Sequence, residues 1–268
     1  MNKIVITLST VPERLLNNHP DGFKKVINSL CTQAYDNYEV HINIPEIYKV
    51  TNEPYIIPNW LVEYQSLHPT LHIYRCEDNG AVTKLAPTIA RVIDPECIIV
   101  VVDDDLIYHQ DMLREHIKYQ EMFKDSVILY DGRGLVKPKY GDLRDAWILS
   151  VAEVLQVKSL QHYKSVSYRR RYFDDTFFTD FLGKTKNDDI LLSCYLNSKN
   201  IPMLVVPYEL DISSVDTLDK WKTFSGVATF PVLAHAHSIS KTGCHDPAFL
   251  TQEPTFFCVP PELKQYQR

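Results

Sequence analysis

The stretch that decides the fold is ECIIVVVDDDLIY, residues 96–108, in which six apolar residues, Cys97 to Val102, run straight into three aspartates. The apolar run is mostly β-branched and shows none of the polar alternation of a half-exposed strand. It therefore reads as a strand buried on both faces, as the central strands of parallel α/β sheets are. Three carboxylates at the end of such a strand repel one another and resist desolvation, so without a cation nearby at least one should have a raised pKa. Positive charge is expected beside Asp103, Asp104 and Asp105.

Outward from this strand the first hundred residues alternate. KIVITL (3–8), YEVHINI (38–44) and LHIYRC (71–76) read as strands. GFKKVINSLCTQ (22–33) sets Phe23, Val26, Ile27 and Leu30 at helical spacing, and AVTKLAPTIARVI (81–93) reads as a helix with Pro87 inside it. Strands separated by helices predict βαβ units and an α/β fold: a mixed, mainly parallel central sheet with helices on both faces. Ligands of such sheets bind outside the carboxyl ends of the strands, where the aspartates lie. Further along, DMLREHIKYQEMF (111–123) and NDDILLSCYLNSKN (187–200) predict helices, SVILYD (126–131) and MLVVP (203–207) predict strands, and DAWILSVAEVLQV (145–157) fits either. Residues 207–268 read as loops with one short strand at FPVLAHAH (230–237).

Composition narrows the function. With 268 residues and 45% hydrophobic content the chain can bury one large core and reads as a single domain. A net charge of −6 argues against a nucleic-acid binder, which needs a basic face. The cysteines at 31, 76, 97, 194, 244 and 258 show no CxxC spacing, which points to reduced thiols in a cytoplasmic protein. The segment Ile4 to Leu8 is short for a signal sequence, and no apolar run approaches the ~20 residues of a membrane span. Glycine is scarce, eight in all, and neither GxGxxG nor GxxxxGK[ST] occurs, so a bound phosphate would rely on a metal and side chains.

The aspartates offer that means. On an extended backbone Asp103 and Asp105 point the same way with Asp104 opposed. Oxygen ligands so spaced suit Mg²⁺ or Mn²⁺ bridging a carboxylate to substrate phosphates; the competing reading is a solvated acidic loop or helix cap. TGCHD (242–246) lacks a partner cluster and reads as a turn.

Several of these pieces together resemble the GT-A glycosyltransferases, in particular small family-two-like members from bacteria and large DNA viruses. VVDDD looks like their DxD motif at the end of a buried strand. ITLSTVPERL is similar to their first strand and turn, NSLCTQAYDNYEVHINIP to their first helix and second strand, and RCEDNGAVTKLAPTI to the segment preceding the DxD strand. The resemblance covers residues 3–110 well and returns at 165–206. It implies a nucleotide-sugar-binding half (1–106) and an acceptor-binding half (107–268). It also implies donor contacts from Thr7, Ser9, Thr10, Arg14, Asp78, Lys84, Asp103 and Asp104, with Mn²⁺ or Mg²⁺ on Asp103 and Asp105.

The same resemblance makes KNDDILLSCYL the acidic motif whose aspartate deprotonates the acceptor hydroxyl in inverting enzymes. Asp189 is favoured, with Asp188 as the fallback and an acidic helix cap as the alternative. A third metal ligand is expected from His237 or His235, which share a face if extended. SYRRRYF matches a structural edge of the family, although Arg169 to Arg171 would also suit steering of an anionic acceptor. Where relatives carry Gly-Gly just before this run, the chain has HYKSV (162–166).

The expected activity is transfer of a sugar from a nucleotide sugar, with UDP-sugar the favoured donor, to a hydroxyl of a glycan or other acceptor. Two further classes use the same residues: a metal-dependent nucleotidyltransferase or nucleotide-sugar hydrolase, and a catalytically silent carbohydrate-binding relative.

Overall fold

The computed structural model describes residues 3–16, 22–136, 144–148, 151, 153–208 and 210. Its main sheet contains β1 (Ile4–Leu8), β2 (Tyr38–Pro45), β3 (Leu71–Cys76), β4 (Ile98–Val101), β5 (Val127–Leu129), β6 (Leu155–Val157), β7 (Val166–Arg169) and β8 (Met203–Val205). Their spatial order is β6-β8-β5-β7-β4-β1-β2-β3. All neighbours pair in parallel except β7, antiparallel to both β4 and β5, and β6, antiparallel to β8. The sheet is thus mixed and mainly parallel, as expected, and it draws strands from both halves of the chain.

Helices cover both faces. Ile98, Val100 and Val102 join Ile4, Ile6 and Leu8 in a core with residues of α2 (Phe23–Cys31), α3 (Asn59–Leu67) and α5 (Met112–Met122). Ile99 and Val101 turn to the opposite core, with Ala86 and Ile89 of α4 (Ala86–Arg91) and Leu191, Leu192, Tyr195 and Leu196 of α6 (Asp188–Ser198). Period-two alternation along a wholly apolar strand thus feeds two cores, which is why CIIVVV carries no polar positions.

One local expectation differs from the structure. Pro87 lies in the first turn of α4 rather than inside a helix over 81–93: residues Gly80–Lys84 form a 3-10 turn, and α4 restarts after Leu85. A proline lacks the N–H that a first helical turn leaves unpaired, so it begins the helix without cost. The 145–157 segment, open between helix and strand, contributes to strands Arg144–Ile148 and Leu155–Val157, the former in a separate three-stranded sheet with Gly132–Val136 and Ser159–Leu160. YEVHINI is a strand, as expected, and is buried along nearly its whole length.

A polar knot lies beneath β1 and β2. The Thr7 hydroxyl donates to the Lys84 carbonyl (2.6 Å) and meets Thr88 Oγ1 at 2.7 Å. Asn43 Nδ2 donates to both threonine hydroxyls at 3.0 Å, and Arg91 donates to Asn43 Oδ1 at 2.9 Å. All three uncharged side chains are fully buried. Asn43→Ala removes the hub while leaving its partners in place, so a loss of about 1–3 kcal/mol is expected in urea unfolding, against less than half that for a neighbouring exposed substitution such as Glu53→Ala.

Candidate active site

Strand register brings the site to one edge. Thr7 is level with Val101, Val101 with Val166, and Leu129 with both Val166 and Val205. The segments after β1, β4, β5 and β8 therefore emerge together. The antiparallel β7 enters from the same edge, so the residues preceding it, 162–165, arrive there too. Segment 169–171, at the other end of β7, is carried away: Arg169 pairs with Ile98, and Arg170 N donates to Cys97 O. Arg169 and Arg171 bind Glu96, and Arg170 donates to the Val92 and Phe173 carbonyls. The arginine run is structural and lies opposite the aspartates.

At the strand end the chain stops being extended. Residues 104 and 105 form a turn, and the Tyr108 hydroxyl closes it by accepting from Asp103 N at 2.8 Å. Asp103 and Asp105 consequently take different partners. Arg14, on α1 (Pro12–Leu16), clasps Asp104 through Nη1 and Asp105 through Nη2 (3.2 Å), whereas Asp103 Oδ1 takes Lys84 Nζ at 2.8 Å. The expected positive charge is present as Arg14 and Lys84. It does not fully compensate: burial raises the pKa of Asp103, and burial with the charges of Asp103 and Asp104 pushes Asp105 up to about 7. Asp104 Oδ2 is buried with no hydrogen-bond partner.

Lys84 joins this turn to α6. Its ammonium also lies 2.8 Å from Asp188 Oδ2. Asn187 caps the helix by accepting from Ile190 N at 2.9 Å, which frees both following aspartates for other partners. Asp188 stands well below the ordinary carboxylate range: burial opposes its charge, but Lys84 and His162 outweigh burial. Lys84 is correspondingly raised, its carboxylate neighbours overcoming burial.

His162, which the sequence reading passed over, completes the cluster. Its Nδ1 lies 2.7 Å from Asp189 Oδ1 and 3.1 Å from Asp188 Oδ2, and its Nε2 lies 2.8 Å from the Tyr168 hydroxyl. Among the described residues, His162, Asp188 and Asp189 are the group of three whose ligand atoms lie close enough to share a metal ion. The only signal in the sequence was HYKSV standing where the resembled family has Gly-Gly. Nearby, Asp131 follows β5, fully buried, with Lys164 Nζ at 3.2 Å from Oδ1; burial pushes it up to about 6.

The other expected donor contacts divide. Thr7 is fully buried and its hydroxyl holds the Lys84 carbonyl, so it acts on the site through Lys84. Ser9 is half-buried at the edge, and Thr10 is buried with Oγ1 unpartnered while its carbonyl accepts from the Tyr55 hydroxyl. Asp78 shapes the loop after β3, accepting from Lys49 N and Gly80 N. It also lines a cleft of about 430 Å³ with Glu46, Ile47, Lys49, Arg75, Cys76 and Glu77. His235, His237, the strand expected at 230–237 and the TGCHD turn lie outside the described residues. Cys31, Cys76, Cys97 and Cys194 are free thiols, and no described helix is long and apolar enough to cross a membrane.

No protein-family model matches the chain, and no curated protein matches it. Among solved structures it is similar to residues 1–349 of S. aureus TarS, at 14% identity and a TM-score of 0.47 over 76% of this chain and 58% of that one. The same fragment in complex with UDP-GlcNAc gives 14% and 0.48 over 79% and 60%, and in complex with UDP 15% and 0.48 over 76% and 58%. The chain spans less than two thirds of that fragment, and 36% of the longer TarS chain.

The pKa directions give a signed prediction for Lys84→Met, which leaves two buried carboxylates without their common cation. A depressed Asp188 contributes stability above the ordinary carboxylate value, about pH 4, and loses it as pH falls through its folded value. A raised Lys84 contributes below its ordinary value, about 10.4, and loses it as pH rises through its folded value. The variant should be less stable by about 3–5 kcal/mol at neutral pH, with the gap in unfolding midpoints narrowing below about pH 4.

Proposed function

We propose that the chain is a glycosyltransferase moving a sugar from a nucleotide-sugar donor, a UDP-sugar foremost, to an acceptor hydroxyl with inversion at the anomeric carbon. One observation carries the reading: a single ammonium, Lys84, bridges Asp103 at the end of β4 and Asp188 at the start of α6. Phosphate-handling and proton-accepting groups thereby share one cleft at the carboxyl edge of a mainly parallel sheet, where such folds bind ligands.

The aspartates fit a divalent cation. Their donors are hard oxygens, Asp104 keeps a buried oxygen without a partner, and Asp105 carries a proton more readily than a free carboxylate because it is buried beside two other acids. Asp103 and Asp105 would hold Mn²⁺ or Mg²⁺, with His237 or His235 as the third ligand. When bound, the ion supplies positive charge against the leaving diphosphate. Arg14 and Lys84 add charge-assisted donors to the same phosphates. Ser9, Thr10 and Asp78 border the nucleoside, for which the cleft beside Asp78 offers room.

Of the acidic pair, Asp189 suits the base. Asp188 is held as a carboxylate by Lys84 and His162 and is a weak proton acceptor, whereas Asp189 has Oδ1 fixed by His162 and Oδ2 without a hydrogen bond among the described residues. Its Oδ2 takes the hydroxyl proton as the acceptor oxygen bonds to the anomeric carbon. The bond from that carbon to the phosphate oxygen breaks, its electron pair leaving on the nucleoside diphosphate.

The test is incubation with UDP- and GDP-sugars and Mn²⁺, reading free nucleotide and glycosylated product with and without acceptor glycans. Asp189→Asn should lower transfer by ~10²-fold or more while keeping donor affinity. Asp103→Ala and Asp105→Ala should abolish Mn²⁺-dependent UDP binding in calorimetry. Nucleotide release that ignores the acceptor indicates a hydrolase instead, and wild-type affinity in both aspartate variants removes the metal from the reading.

A further inference from the structure

His162 enters the reading above only as a neighbour of the acidic pair, and its own part in the transfer follows from its contacts. Its side chain is 2% exposed, in the segment leading into β7. Nδ1 reaches Asp189 Oδ1 and Asp188 Oδ2, and Nε2 reaches the hydroxyl of Tyr168, itself wholly buried. The His162 backbone N donates to the same Asp189 Oδ1 at 3.2 Å. A second tie runs in parallel: Ser193 Oγ donates to the Asp189 carbonyl at 2.6 Å and accepts from Leu160 N at 3.0 Å. The segment before β7 and the first turn of α6 are therefore stitched together at both the side chain and the backbone of Asp189.

Both ring nitrogens are engaged, so His162 has no atom with which to receive an acceptor's proton. Its geometry fixes another group. One oxygen of Asp189 takes two N–H donors from a single residue, which sets the carboxylate plane and leaves the second oxygen without a hydrogen bond among the described residues. We propose that His162 is a positioning residue for sugar transfer, clamping Asp189 Oδ1 so that Oδ2 alone meets the acceptor hydroxyl. This rests on Asp189 being the base. The groups facing the ring are Asp188 and Asp189 from α6, Tyr168 from β7 and Lys84 from the 3-10 turn; the two carboxylates outweigh burial and Lys84, so the imidazolium form is favoured.

The experiment compares His162→Ala, His162→Asn and Tyr168→Phe with Asp189→Asn in the full chain. It reads kcat, KM for the donor, and Mn²⁺·UDP affinity by calorimetry. His162→Ala should lower kcat on the order of 10²-fold, the usual cost of a misplaced reacting group, with donor KM and Mn²⁺·UDP affinity unchanged. His162→Asn, which keeps an N–H near the Nδ1 position, should recover a large part of kcat. Tyr168→Phe, which frees Nε2 without touching the carboxylates, should give a smaller fall in kcat. A His162→Ala enzyme with wild-type kcat, alongside an inactive Asp189→Asn, overturns the clamp and spares the base. Active Asp189→Asn instead overturns the base itself, and the clamp with it. Loss of Mn²⁺ affinity in His162→Ala or His162→Asn makes the histidine a cation ligand and refutes the positioning role.

Discussion

The structure turns on one lysine tied at both ends. The Lys84 carbonyl accepts from Thr7 on β1 and Asn43 on β2, and its ammonium reaches Asp103 and Asp188. A cation buried this deeply is costly to desolvate unless paired, and its two carboxylate partners are equally costly without it. Each therefore depends on the other. Folding β1 and β2 against α4 places the ammonium, and the ammonium fixes the separation between the β4 turn and α6. The polar knot of Thr7, Asn43, Thr88 and Arg91 would be an odd feature under a central sheet if it served packing alone. Its use is to hold the backbone from which that charge projects.

Charge at the edge is incompletely balanced. Five carboxylates, Asp103, Asp104, Asp105, Asp188 and Asp189, face Arg14, Lys84 and His162. On the β4 turn burial raises the proton affinity of Asp103, and burial together with neighbouring carboxylates raises that of Asp105, whereas Asp188, between two cations, is depressed. The two acidic groups thus divide in character although their residues are chemically alike. In the proposed function this division assigns roles: the turn accepts a cation with its diphosphate, and α6 presents Asp188 as a firmly ionised carboxylate beside Asp189. Environments that push like groups apart are how one site gathers different duties from a single residue type.

Much of the fold was legible because strand signals in the first half are strong. CIIVVV is apolar throughout and KIVITL nearly so between Lys3 and Leu8, with Thr7 the exception, and LHIYRC matched its strand to the residue. The short strands of the second half, two to five residues long, carry too few positions for a period to emerge, and 145–157 stayed undecided for that reason. For the site, residue types and places in the chain were readable: acids at a strand end, acids at a helix start, and a lysine between strands. Which partner each would choose was not. Period-two alternation assumed that the backbone stays extended through Asp105, but Tyr108 captures the Asp103 peptide and turns it, sending Asp103 to Lys84 and the next two aspartates to Arg14.

The direction of one strand explains the remaining surprise. Had β7 run parallel to β4, Arg169 to Arg171 would have emerged beside the aspartates and the HYKSV segment at the far edge. Antiparallel pairing of Val166 with Val101 and Arg169 with Ile98 does the reverse. It ties the arginines to Glu96 and the Val92 carbonyl, where they fasten the amino ends of the sheet, and it delivers His162, Lys164 and Ser165 to the carboxyl edge. Strand polarity is set by long-range pairing and leaves no trace in local periodicity. The arginine run, read foremost as a structural edge, is therefore structural, while a histidine in the HYKSV segment stands against the acidic pair at the centre of the site.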